Sequence, residues 1–96
     1  MSNICSNSFY AYSEDPNNLD TIEEFFKDWI GKDLVRDDNT IECYFDSKWV
    51  FPEEEMDKLY ERIPNKEDIY MRCLSVEYGV LYHALWVCDS EGWEEV

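Results

Sequence analysis

The sequence predicts an α+β sandwich in which an antiparallel sheet carries two helices on one of its faces. Three observations lead there. Two segments repeat apolar residues at three- and four-residue steps, four others read as extended chain, and their order is β-α-β-α-β-β. Both helices on one face of the sheet would bury both apolar stripes at once.

Residues 4–12 (ICSNSFYAY) open the series as a strand rich in aromatic and small side chains. The turn signal Ser13-Glu14-Asp15-Pro16-Asn17-Asn18 follows. Leu19, Ile22, Phe25, Phe26, Trp29 and Ile30 then fall on one face of a helix. Asp20 and Glu23 have capping-box spacing, and Gly31 supplies the C-terminal stop. Residues 32–40 are polar and predict a loop, with at most a short extended piece at Leu34-Val35. Ile41, Cys43 and Phe45 alternate with Glu42, Tyr44 and Asp46, the mark of a strand with one face inside. A second helix starts near Pro52, where Glu53, Glu54 and Glu55 meet the positive end of its dipole. Its stripe is Met56, Leu59, Tyr60 and Ile63, and Pro64 ends it. Ile69–Tyr78 and Val80–Cys88 predict a hairpin turning at Gly79. The element order is that of a ferredoxin-like or closely related sandwich.

The 96 residues make one domain, 1–96, with 89–96 expected as a loose acidic tail. Aromatics are 17% of the chain, and each buries roughly 150–250 Å², so a short chain can still reach a stable core. Eight Lys and Arg against 23 Asp and Glu leave a net charge of −15. That balance repels duplex nucleic acid and anionic lipid, so direct binding to nucleic acid or membrane is excluded, and basic surfaces become the favoured partners. The N-terminus has no basic region or long apolar run, and Ala84–Cys88 is too short to span a bilayer, which predicts a cytoplasmic protein. Cys5, Cys43, Cys73 and Cys88 lack paired short spacing and read as buried free thiols.

Tests for chemistry come out negative. His83 is the sole histidine and lies among Leu81, Tyr82, Leu85 and Trp86, which reads as a partly buried, hydrogen-bonded side chain rather than a general base. Carboxylates are everywhere, so a pair of them says nothing about acid–base catalysis. Asp37-Asp38-Asn39 and Glu53-Glu54-Glu55 lack the spaced ligands and glycine of a calcium loop, and three glycines leave no phosphate-binding loop. The expectation is a non-enzyme with no catalytic residues, metal or cofactor.

Charge geometry is more informative. Asp20, Glu24 and Asp28 form a row about opposite the apolar stripe of the first helix. Glu53, Asp57 and Glu61 form a row flanking the stripe of the second. Successive carboxylates rise about 6 Å, comparable to neighbouring phosphates on one DNA strand. Like charges at i,i+4 cost each helix a few tenths of a kcal/mol, as a functional surface would; a merely solvated face is the plainer reading, and Lys27, Lys58 and Arg62 interrupt the rows. A second surface is expected on the sheet face away from the helices, where Tyr44, Tyr70, Arg72, Tyr82 and Trp86 could offer an aromatic platform for protein contact or homodimerisation.

Asn3-Ile4-Cys5-Ser6-Asn7 resembles the opening strand of the YubB ferredoxin-like family, small proteins of phages, plasmids and other mobile elements. Phe45-Asp46-Ser47-Lys48-Trp49-Val50-Phe51-Pro52 is similar to that family's second motif, and Glu77-Tyr78-Gly79 fits a third. Phe51 stands where the family usually has a proline, and the segment before the second motif is shorter than usual. The resemblance implies a mobile-element origin and an action directed at a bacterial host. Together with the charge it leads to one functional expectation: an inhibitor of anti-CRISPR or anti-restriction type that occupies the basic groove of a nucleic-acid-binding host protein as a DNA mimic. The alternative is an adaptor or self-associating component that uses the aromatic face.

Overall fold

The computed structural model describes residues 4–31, 34–48, 50–77, 79 and 82–96. Its elements are β1 (Ile4–Tyr12), α1 (Pro16–Ile30), β2 (Val35–Arg36), β3 (Thr40–Lys48), α2 (Glu53–Arg62), a 3₁₀ turn (Lys66–Asp68), β4 (Tyr70–Glu77), β5 (Tyr82–Asp89) and β6 (Gly92–Glu95). The strands form one sheet in the order β2-β3-β1-β4-β5-β6, with every neighbouring pair antiparallel. The α+β class holds, but the order β-α-β-α-β-β does not: β2 and β6 are additional strands. Tyr78, Val80 and Leu81 of the expected hairpin turn, with Asn3 and Trp49 of the family resemblance, lie outside the described residues.

α1 begins on Asp15, whose side chain accepts from the Asn17 amide, with Pro16 in the first turn. The N-cap therefore lies five residues before Asp20 and the expected Asp20–Glu23 capping box does not form; both carboxylates accept from Arg36 instead. Gly31 ends the helix at φ 61°, a left-handed turn that glycine adopts without strain. Leu19, Ile22 and Phe26 are fully buried, each contributing about 1.5–3 kcal/mol. Phe26 meets Phe9 of β1 edge-on at 4.8 Å and Phe45 of β3 at 5.3 Å. α2 has Pro52 at its N-cap with no side-chain bond there, so the first-turn glutamates are what complements its exposed amides. Met56 and Leu59 bury into the same core, and both helices cover one sheet face.

The segment expected to be a loose tail is structured. β6 pairs with β5, and Val96 donates its amide to the Leu85 carbonyl at 2.8 Å. Trp93 donates its indole N–H to the Met56 carbonyl at 2.8 Å and packs against Phe51. The turn into β6 needs Gly92 at φ 100°, against the ring of Tyr60, whose hydroxyl donates to the Ser90 carbonyl.

Two buried asparagines fasten the ends of the sandwich. Asn18 on α1 bonds Ser13, Asn65 and Asp68, which ties the start of that helix to the connection between α2 and β4. Asn7 on β1 donates to the Phe45 carbonyl and Ser47 Oγ and accepts from Ser75 Oγ at 2.6 Å. It thereby crosses three strands with side-chain bonds in place of apolar packing.

Candidate functional site

The sheet separates two surfaces of different chemistry. On the helix side, α1 carries four carboxylates against one lysine, and α2 five against a lysine and an arginine. Asp20, Glu24, Asp28, Glu53, Asp57 and Glu61 are all exposed, so both rows stand in solvent. They are not equivalent. Asp20 and Glu23 accept from Arg36 Nη1 at 2.7 and 2.9 Å, which pins β2 to α1 and holds the guanidinium charge more firmly than usual. Lys58 reaches Glu54 and Glu55 rather than the row beside it. Among the described residues, no ion pair involves Glu24, Asp28, Glu53, Asp57 or Glu61. Arg62 instead lies over the Phe25 ring at 5.4 Å, bridging α2 to α1.

Among the described residues no helix covers the opposite sheet face. Directly paired residues share a face, so the register identifies its members. β1 contributes Ile4, Ser6, Ser8, Tyr10 and Tyr12, and β4 contributes Tyr70, Arg72, Leu74 and Val76. These central positions hold no carboxylate, although nearly a quarter of the chain is Asp or Glu. Tyr44 is 67% exposed and Leu74 45%, while the Arg72 guanidinium stacks over Tyr10 at 4.3 Å. Ser8, Glu42, Tyr44, Tyr70, Arg72 and Leu85 help to line a shallow depression of about 500 Å³.

Tyr44, Tyr70 and Arg72 thus lie where the sequence places them, but Trp86 and Tyr82 do not. Trp86 pairs with buried Cys73, and Tyr82 with buried Glu77, which puts both on the helix side. Trp86 stacks on Phe51 at 4.6 Å and 6° between planes. Burial of Ala84 and Cys88 sets the phase of β5, turning Leu85 and Val87 outward. His83 follows them out: it is exposed on the open face, not partly buried. Sequence reasoning missed Tyr10, Glu42, Leu74 and Leu85 as members of this surface. The alternation of buried Phe9 and Ala11 around Tyr10 was the available signal.

The remaining reactive groups are buried. All four cysteines are free and buried, and burial pushes the thiols of Cys73 and Cys88 up to about 12, which suppresses the thiolate. Glu77 accepts from the Gly79 amide at 2.6 Å, while its second oxygen and the Trp86 indole N–H have no partner among the described residues. Among the described residues no group of three or more His, Cys, Asp or Glu is placed to hold a metal ion, and no described helix is long and apolar enough to cross a membrane. No family model matches the chain, and no curated protein or solved structure is significantly similar to it.

Proposed function

We propose that the protein is a non-enzymatic binding protein whose helix layer occupies a basic, nucleic-acid-binding surface of another protein. The single observation behind this reading is the polarity of the acidity. A charge coat needed only for solubility has no reason to avoid the centre of one face and gather on the helices of the other. Carboxylates of Glu24, Asp28, Glu53, Asp57 and Glu61 that lack ion pairs among the described residues present the acceptors that Lys and Arg side chains seek.

The likeness to the YubB family supports a mobile-element origin and a host protein as the target, for which an anti-CRISPR or anti-restriction inhibitor is the natural type. With β2 counted, β1-α1-β2-β3-α2-β4 has the element order of a ferredoxin-like unit, to which β5 and β6 add an edge. That supports the fold half of the likeness.

The test is affinity capture from host lysate at two salt concentrations, with and without added nucleic acid. The expected result is recovery of a DNA- or RNA-handling protein that nucleic acid displaces and salt releases. A chain with Glu24→Gln, Asp28→Asn, Glu53→Gln, Asp57→Asn and Glu61→Gln should lose that partner. Equal capture by this variant, or capture indifferent to nucleic acid, refutes the reading.

A further inference from the structure

One row of the open sheet face carries opposite charges in a self-complementary order. This middle row reads Glu42, Tyr10, Arg72 and Val87 across β3, β1, β4 and β5. An anion and a cation therefore flank Tyr10, each about one strand spacing of 4.8 Å away. Arg72 has no ion pair among the described residues. A second copy turned by 180° about an axis running along β1 at Tyr10 brings its Arg72 opposite the first copy's Glu42, and its Glu42 opposite the first copy's Arg72. The adjacent row, Tyr44, Ser8 and Leu74, then sets each Leu74 against the other copy's Tyr44, with the small Ser8 on the axis.

We propose that the open face is a homodimer interface, in which two copies pack sheet to sheet about Tyr10 with reciprocal Glu42–Arg72 pairs. The contact is isologous, so each favourable pair occurs twice. Whole-molecule charge selects this face over the other. Contact through the helices would press two acidic layers together in a chain of net charge −15. Sheet-to-sheet contact leaves those layers outermost, separated by three layer spacings of about 10 Å, several times the Debye length of about 8 Å at physiological salt. The size is adequate. Four strands, with β4 and β5 of 8 residues each, cover roughly 19 by 27 Å. That is about 500 Å² in plan before side-chain relief is added, against the about 800 Å² of accessible surface per partner in a standard interface.

The test uses sedimentation equilibrium on the full chain. At about 0.1 mM protein and physiological salt the expected mass is twice 11.6 kDa. Glu42→Arg and Arg72→Glu each set like charges opposite one another at both symmetry-related positions, and each alone should raise the dissociation constant about tenfold or more. Mixing the two variants should restore association as a heterodimer, because every facing pair is again of opposite sign. Recovery on mixing also shows that both variants are folded. A monomeric wild-type chain overturns the proposal, as do single variants that dimerise like wild type or a mixture that stays monomeric. The five helix carboxylate substitutions described above should leave the dimer intact, so this proposal and the acidic-layer reading fail separately.

Discussion

Replacing Asn18 tests how the sandwich is fastened at the end where α1 begins. Its amide nitrogen donates to Ser13 Oγ, the Asn65 carbonyl and the Asp68 carbonyl at 3.1, 2.9 and 2.8 Å, and its oxygen accepts from the Asn65 amide at 3.0 Å. In Asn18→Ala those partners do not suffer equally. The Asn65 carbonyl keeps the Asp68 amide at 3.2 Å, and the Asp68 carbonyl keeps Ser13 Oγ at 2.6 Å. Only the Asn65 amide loses its one described partner. One orphaned donor costs about 1–3 kcal/mol, and three weakened acceptors add about 0.5 kcal/mol each, so the loss should be about 2.5–4.5 kcal/mol. Folding stability for a chain of this length is about 5–15 kcal/mol, so the change is easily measured.

Asn18→Asp sharpens the test, since it keeps the shape but turns the donating nitrogen into an oxygen facing two carbonyls. Burial and those carbonyls disfavour the charged form, which raises the folded pKa above the unfolded value of about 3.9. A raised folded pKa means that stability is fully retained below the unfolded value and lost as pH rises through the folded one. Urea denaturation followed by tryptophan fluorescence should therefore show Asn18→Asp closest to wild type near pH 4 and furthest from it at pH 7. A loss under 1 kcal/mol for Asn18→Ala, or a deficit in Asn18→Asp that does not change with pH, would refute the argument.

Trp93→Ala should cost about 3 kcal/mol in the same assay, because it removes the packing on Phe51 and the bond to Met56; a neutral effect would mean that β6 contributes nothing to the core. Stability should also fall in alkali: the Cys73 thiol moves from 9.0 to about 12 on folding because burial disfavours its thiolate, so the unfolded chain releases its proton first. The loss begins above pH 9.0 and reaches about 3 kcal/mol near pH 11. Cys73→Ala should show a shallower fall over that range, and equal slopes would count against the thiol as the cause.

The parts of this fold that could be read from the sequence are those where one face is strictly apolar. Phe9 and Ala11, or Ile22, Phe25 and Phe26, announce their periods directly. β2 could not be read that way, because Val35 and Arg36 are both exposed and the strand is held by Arg36 on Asp20 and Glu23. In β6, Trp93 is the one large apolar side chain among four residues, too little to show alternation. β5 misled for the opposite reason. With Ala84, Trp86 and Cys88 inside and Leu85 and Val87 outside, both phases are apolar, and only pairing with β4 settles which way Trp86 points. The acidic rows needed nothing but helical period and were legible as positions. Pairing of Asp20 with Arg36 depends on a contact 16 residues away that no local pattern encodes.

The central place of β1 also sets the order of events during synthesis. Of the described strands it is made before the others, yet its neighbours are β3 and β4, and Ser6 waits for Val76, 70 residues later. At about 5–20 residues per second that wait lasts roughly 4–14 s, with the ladder on that edge unpaired throughout. Contacts of such long range also make for slow folding. An open strand carrying Phe9, Tyr10 and Tyr12 is a template for association with other nascent chains. The carboxylates of α1 follow directly behind it in the chain, and like charge on neighbouring chains opposes that association.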